Sequence, residues 1–227
     1  ADFGVPQFRK RVIFFGTRHR APFAFPKPTH GPESDRPYAT TWEAIRDLAK
    51  KGSDVPGHIV LEHSDKVIER YRLIPEGGRL PPPEQLPAAI RRSNFGNTYK
   101  RLHRNRPALT MVPGNNAFPI HPTLHRSLTP REAARLQSFS DDVLFAGDRR
   151  NQCILVGNAV PPILAEVLGR AVIKHAQARV RENKVTLSTP TPNSLAFVSK
   201  PPRLPGNSGF IDLFCGAGGF TIGFERA

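Results

Sequence analysis

Hydrophobic positions along the chain fall into two kinds of run, and each kind predicts a different element. Beyond Pro161-Pro162, Leu164, Val167, Leu168, Ala171 and Val172 follow the i, i+3, i+4, i+7, i+8 spacing of one apolar helix stripe. Upstream, Thr129 with Glu132 three residues later has capping-box spacing. Pro130 falls where a missing N–H costs nothing, so a helix starts at Pro130. Gly157-Asn158 reads as a tight turn before the prolines. Thr40 and Glu43 repeat the capping-box spacing, and Trp42, Ile45, Leu48 and Ala49 share one face of a helix that Gly52 ends. A polar helical piece is expected from about Asp65 to Tyr71. The second kind of run is short, continuous and apolar. Arg11 to Gly16, RVIFFG, predicts a buried strand, His58 to Leu61 a weaker one, and Phe210 to Phe214 a third. Gly216 to Gly219 then turn the chain into a helix from Phe220 onward.

Between these elements the patterning lapses. Thr17 to about Pro37 is rich in Pro, His and Arg without periodicity and reads as loop. Arg181 to Ser208 holds five prolines among 28 positions and reads as a linker. A flexible chain of that length spans on the order of 30 Å.

Three stretches carry motifs. GVPQFRKRVIFFG, Gly4 to Gly16, sets Gln7, Arg9 and Arg11 in a Gln-x-Arg-x-Arg pattern. LTPREAARLQSFSDDVLFAGDRRNQCILVGNAVPP runs from Leu128 to Pro162, and FIDLFCGAGGFTIGFERA from Phe210 to Ala227. Together they resemble the eighth, the ninth with the tenth, and the first motifs of the cytosine-5 DNA methyltransferase family. A stretch of target-recognition length separates the eighth from the ninth.

The resemblance implies an α/β fold: part of a Rossmann-like S-adenosylmethionine-dependent methyltransferase domain plus a small irregular target-recognition domain. It sets residues 1–20 as the end of the catalytic domain, 21–126 as the target-recognition region and 127–180 as the return to the catalytic domain. Residues 181–208 are then the linker and 209–227 the start of the cofactor-binding domain. It implies S-adenosyl-L-methionine as cofactor, with Phe214 on the adenine and Gly216, Ala217, Gly218 and Gly219 around the amino-acid end. Asn158, Ala159 and Val160 form the other wall. The reaction needs the cytosine taken out of the stack and its carbon 5 made nucleophilic. The family does this by adding a cysteine thiolate to carbon 6 while a glutamate and an arginine hold the ring. The resemblance gives the arginine's role to Arg11, at the base carbonyl oxygen, with Arg9 nearby.

The family's nucleophile sits in a Pro-Cys dipeptide and its glutamate in Glu-Asn-Val, and neither occurs here. The chain is therefore expected to be part of a longer product and catalytically silent alone. A first motif that follows the tenth implies either a circularly permuted enzyme or two enzymes fused end to end. The expected function is that of a DNA (cytosine-5)-methyltransferase from a bacterial modification system. The alternative is a non-catalytic target-recognition subunit that complements a partner chain.

Charge adds a partner to this picture. The 227 residues carry 33 Lys and Arg against 19 Asp and Glu, a net charge of +14 that points to a polyanion. Arg91, Arg92, Lys100, Arg101, Arg104 and Arg106 crowd the middle segment beside Phe95 and Tyr99, and are the candidate contacts to duplex DNA. The 38% hydrophobic content suffices for a core. Cys153 and Cys215 lack metal or redox spacing and read as inert thiols without a disulfide. No run of roughly eighteen apolar residues and no charged-then-apolar leader are present, which leads to the expectation of a cytoplasmic protein. If the basic segment neutralises phosphates, log affinity for duplex DNA falls against log salt by about 0.9 per phosphate contacted. A binding titration from low to physiological salt measures this slope, and a flat line removes nucleic acid as the partner.

Overall fold

Both capping boxes form, and they mark where the helices begin. In the computed structural model, which describes residues 1–17, 22–50, 54–92, 98–112 and 118–182, Thr40 caps α1 (Thr41–Ile45) and Thr129 caps α3 (Pro130–Leu136). The other helices are α2 (Asp65–Arg72), α4 (Arg149–Asn158) and α5 (Pro162–Glu182), with 3-10 turns at Leu48–Lys50, Pro83–Gln85 and Ala88–Ile90. α3 lies at the centre, packed against α1 and α4. Its Ala133, Ala134 and Leu136 join Ile45, Met111, Phe118, Leu128, Phe139, Phe145, Cys153 and Val156 in the main core. A second cluster of Tyr71, Ile74, Leu80, Leu86, Tyr99 and Ile120 lies under α2.

Several elements differ from the expectation. The helix expected from Thr40 to Gly52 stops at Ile45 and a 3-10 turn follows at Leu48–Lys50, while the Ala44 carbonyl accepts from Arg135. Ile45 and Leu48 are buried all the same. Gly157-Asn158 is not a separate turn: it is the last part of α4, which periodicity missed and which Asp148 caps by accepting the Asn151 N–H at 2.8 Å. The apolar stripe of α5 is only partly covered, with Ala165 and Leu168 buried and Leu164 and Val167 half-buried. From Arg149 to Ala178 the chain is long and apolar enough to cross a membrane by composition. The helix breaks between Asn158 and Pro162, however, and 56% of the apolar window is buried within the fold.

The two strands expected in the described region do not form. Arg11 to Gly16 lies outside any ladder, with Val12 80% and Phe14 92% exposed, so the expected buried strand is corrected, among the described residues, to an exposed segment without secondary structure. A strand needs neighbours to take its N–H and C=O groups, and among the described residues none runs beside it. At His58 to Leu61 the Ile59 carbonyl is committed to Arg149, and Ile59 and Val60 are nearly half exposed. Only isolated bridges occur among the described residues: Gln7 with Ala108, Arg79 with Lys100, Arg101 with Ile120, and Ile120 with Ser127. The α/β sheet is therefore not seen there, and the linker and the strand from Phe210 lie outside the described residues.

Buried arginines do what ladders would otherwise do. Arg101, 4% exposed, donates to the carbonyls of Ile74, His121, Leu124 and Tyr71 at 2.7–2.8 Å. Arg131, 1% exposed, holds those of Pro56, Ser140 and Val143. Arg149 takes Ile59 and Leu128, and Arg70 takes Ile90. Replacing Arg101 with Met would strand four carbonyls, three of them buried. The expected loss is about 3 kcal/mol or more, a fall of roughly 10 °C in Tm, read by thermal melts beside the parent chain.

Glu132 ties the capping box to the core. Burial acts to raise its carboxyl, but the Arg126 fork at 2.7 and 2.8 Å and the Thr129 N–H outweigh burial and hold it below the ordinary value. His121 is fully buried beside it, and its Nδ1 accepts the N–H groups of Thr123 and Leu124. The proton of the neutral ring therefore sits on Nε2, 3.7 Å from Glu132, too long for a hydrogen bond. Burial pushes this imidazole down to about 4, so at neutral pH the pair is not an ion pair. A base depressed in the fold takes up its proton more readily when unfolded. Its contribution is thus complete above its unfolded value near 6.5 and is lost as pH falls toward 4. Across that window stability should drop by on the order of 3 kcal/mol, and His121→Gln should flatten the dependence of Tm on pH between 7 and 5.

Candidate functional site

The segment that carries Gln7, Arg9 and Arg11 is fixed at its start by a glycine. Gly4 has φ +87°, and a Cβ there would stand 2.8 Å from the His30 ring, so only glycine lets the chain pass. His30 and Thr29 in turn donate their N–H groups to the Asp2 carbonyl. The chain then pairs briefly with the middle segment: Ala108 N–H donates to Pro6, Phe8 N–H to Ala108, and the Thr110 hydroxyl to Phe8.

From this anchor Arg9 reaches across the molecule and donates to the Gly157 carbonyl at 2.8 Å. That carbonyl belongs to the last turn of α4, where a cation meets both an open acceptor and the negative end of the helix. Burial, then the charge of Arg11, hold the Arg9 guanidinium below its ordinary value. This bond joins the Gln-x-Arg-x-Arg segment to Gly157-Asn158-Ala159-Val160. On the α5 side, the Ile163 N–H donates to the Ser138 hydroxyl at 3.3 Å, tying the start of that helix to the end of α3.

Between the two segments lies a cavity of about 1220 Å³, lined among others by Gln7, Arg9, Arg11, Asn158, Ala159 and Val160. Arg11 is exposed and donates to the neighbouring Lys10 carbonyl. Ala159 is buried and Asn158 exposed. Gln7, which patterning treated only as part of a motif, is 1% exposed, and both polar atoms of its amide are without a hydrogen-bond partner among the described residues. Phe214, Gly216, Ala217, Gly218 and Gly219 lie outside the described residues, as do Phe95 and Cys215. Among the described residues no cluster could hold a metal ion. Cys153 is buried, and burial raises its thiol, which suits an inert core cysteine.

The six basic candidates of the middle segment separate. Arg101 is corrected from a DNA contact to a structural residue, since it is buried and its guanidinium is committed to carbonyls. Arg104 is exposed but pairs with Glu76 at 3.0 Å. Arg91 and Arg106 are exposed, Lys100 is half-buried, and the exposed Arg92 lies over the Tyr99 ring at 5.9 Å. Arg79, outside the basic run in sequence, is brought beside Lys100 by their bridge. No local signal could have found it.

The family model for the C-5 cytosine-specific DNA methylase matches residues 1–174. The type II methyltransferase M.NgoFVII of Neisseria gonorrhoeae is 37% identical over 181 residues, which are 76% of this chain and 47% of that protein. M1.HphI of Haemophilus parahaemolyticus is 36% identical, over 77% of this chain and 46% of its own. The chain thus spans about half the length of these relatives. M.AquIB of Picosynechococcus differs: the match, 35% identical, takes 54% of this chain and 90% of that protein. The motifs that meet around the cavity and the match over residues 1–174 together show that this chain belongs to the C-5 cytosine-specific DNA methylase family.

Proposed function

We propose that the chain supplies the base-holding arginine, the target-recognition segment and one cofactor wall of a DNA (cytosine-5)-methyltransferase. The observation that carries this reading is the cavity shared by Gln7, Arg9 and Arg11 with Asn158, Ala159 and Val160, segments nearly 150 residues apart joined through the bond from Arg9 to Gly157. S-adenosyl-L-methionine supplies the methyl group when bound. Asn158, Ala159 and Val160 are the residues that would hold it from this side, and the glycine loop from Gly216 to Gly219 would hold it from the other. The apolar Leu164 and Leu168 behind the wall and the unpartnered amide of Gln7 make a lining of the mixed kind such a ligand requires.

In this reading residues 1–20 and 127–180 belong to the catalytic domain, of Rossmann-like α/β type, and 21–126 to target recognition. Residues 181–208 link these to a cofactor segment at 209–227. Arg91, Arg92, Arg106 and Lys100, with Arg79, neutralise phosphates and set the register of the duplex. The target cytosine leaves the stack, and the Arg11 guanidinium donates to its carbonyl oxygen, where negative charge gathers when the ring is attacked. Arg9, held by Gly157, keeps the arginine segment and the cofactor wall at a constant separation. We assign such an enzyme to a bacterial cytoplasm, a reading supported by relatives from bacteria.

A second reading rests on M.AquIB, nearly all of whose length this chain matches. In this reading the chain acts as a target-recognition subunit beside a partner that carries Pro-Cys and Glu-Asn-Val. Those motifs in the same reading frame favour the first arrangement, and their presence only in a neighbouring gene favours the second.

Arg11→Ala tests the function common to both. In enzyme completed with a part that carries the missing motifs, duplex binding should stay nearly intact, while single-turnover transfer of labelled methyl falls at least about a hundredfold. Equal loss of binding and transfer would make Arg11 a phosphate contact and sink its base-holding role.

A further inference from the structure

The basic middle segment meets the turn before it as a short antiparallel ribbon. Leu80 N–H donates to the Tyr99 carbonyl at 3.1 Å, Arg101 N–H to Gly78 at 3.0 Å and Gly77 N–H to Leu102 at 3.3 Å. Gly77 makes the close approach possible: its φ is +74°, and a Cβ there would stand 3.2 Å from the His103 ring. At one rung of the ribbon Arg79 and Lys100 are paired across the two segments. Residues so placed share a face, where two like charges repel, and an anion between them removes the repulsion.

At the end of the ribbon the charges are arranged differently. The Glu76 carboxylate accepts the backbone N–H of Arg104 at 2.6 Å and its Nε–H at 3.1 Å, with Nη2 at 3.0 Å. These bonds hold the Glu76 carboxyl below its ordinary value, so at neutral pH it is ionised and offsets the charge of Arg104. The Arg104 side chain is nevertheless 50% exposed. A guanidinium matched by a carboxylate gains little from a phosphate, but it keeps its directional donors. Glu76 occupies the Nε side of the fork, which leaves Nη1 and the outer hydrogen of Nη2. That end of an arginine pairs with O6 and N7 of guanine. Because Glu76 already fixes the fork, less rotamer freedom is lost on binding.

The chain also runs from this point to the candidate site. Arg104 stands six residues before Thr110, which lines the cavity and donates to the Phe8 carbonyl. Even fully extended, that stretch spans at most about 22 Å, roughly six base-pair steps of about 3.4 Å.

We propose that Arg104, set by Glu76, is a specificity-determining residue that reads a guanine in the major groove within about six base pairs of the target cytosine, and that the rung of Arg79 and Lys100 seats a backbone phosphate beside it. Duplex DNA as the partner rests on the target-recognition role proposed above, and the experiment separates the two.

The probe is a library of duplexes with randomised sequence, incubated with the full chain, and the bound fraction is sequenced. The parent should select a motif with one guanine preferred at least about tenfold. Arg104→Ala and Arg104→Lys, the second of which keeps the charge but not the fork, should each bring that preference below about twofold, with the other positions of the motif, the affinity for random duplex and the Tm of the chain unchanged. Glu76→Gln should weaken the same preference and raise the affinity for random duplex, with a salt slope steeper by about 0.9 as the released arginine meets a phosphate. Arg79→Ala should do the opposite: the motif stays, binding to every sequence weakens alike and the slope becomes shallower by about 0.9. The proposal is overturned if Arg104→Ala weakens binding to all sequences equally, which makes it a phosphate contact, if Glu76→Gln raises affinity for all sequences without altering the motif, which makes Glu76 only a mask, or if no guanine position responds to Arg104. Methylated sites in plasmid DNA treated with the completed enzyme are mapped by bisulfite sequencing. An unchanged set of sites for Arg104→Ala would sink the guanine reader and leave the methylase reading standing, whereas a guanine preference lost with Arg104 in the binding selection, without methyl transfer by the parent, would do the reverse.

Discussion

The organisation of the described residues depends on how buried carbonyls are satisfied where only isolated bridges are present to do it. Long irregular segments between α1 and α3 cross the interior, and every carbonyl taken there needs a donor. Arg70, Arg101, Arg131 and Arg149 provide them. A guanidinium suits this because its planar fork carries five N–H groups and holds several acceptors from different segments at once. Arg101 gathers carbonyls from Tyr71 and Ile74 on one side and from His121 and Leu124 on the other, so the second core cluster is tied to the loop that leads into α3.

That use of arginine changes what the net charge of +14 means. Part of it faces inward, paired with carbonyl dipoles or, for Arg126 and Arg135, with the carboxylates of Glu132 and Asp141. Only the outward-facing part is free to meet phosphate, and within one basic run the two kinds stand side by side: Arg101 buried, Arg106 exposed. Charge counting identifies a polyanion partner but overstates the number of contacts.

α3 links these networks to the candidate site. Its first turn is anchored by Glu132 and Arg126, its middle by the core, and its end by Gln137, whose side-chain amide donates to the Val156 carbonyl one residue before Gly157. Arg9 holds the next carbonyl. The end of α4, and with it the wall from Asn158 to Val160, is therefore held by side chains from two directions, which is how a loop between helices can keep a fixed shape beside a large cavity.

Features whose physics is local were legible in the sequence. The capping boxes at Thr40 and Thr129 bring together groups only three residues apart, so spacing alone determined them. Pro130 and α2 were readable for the same reason. The three motifs named the family because their residue types and order are unusual in combination, and this settled the chemistry to look for. What the sequence could not decide involves partners far along the chain. RVIFFG has the composition of a buried strand, yet burial depends on neighbours that composition does not contain. Arg101 and Arg106 are indistinguishable as letters, and only the fold decides which one meets carbonyls and which meets water. The Ala44 carbonyl at the end of α1 meets an arginine 91 positions away, a partner no local pattern announces. Gln7 stood in a recognised motif, but its two orphaned polar atoms came into view only when packing closed over it. Local capping and residue type are written in a few consecutive positions, whereas burial and hydrogen-bond satisfaction belong to the whole folded chain.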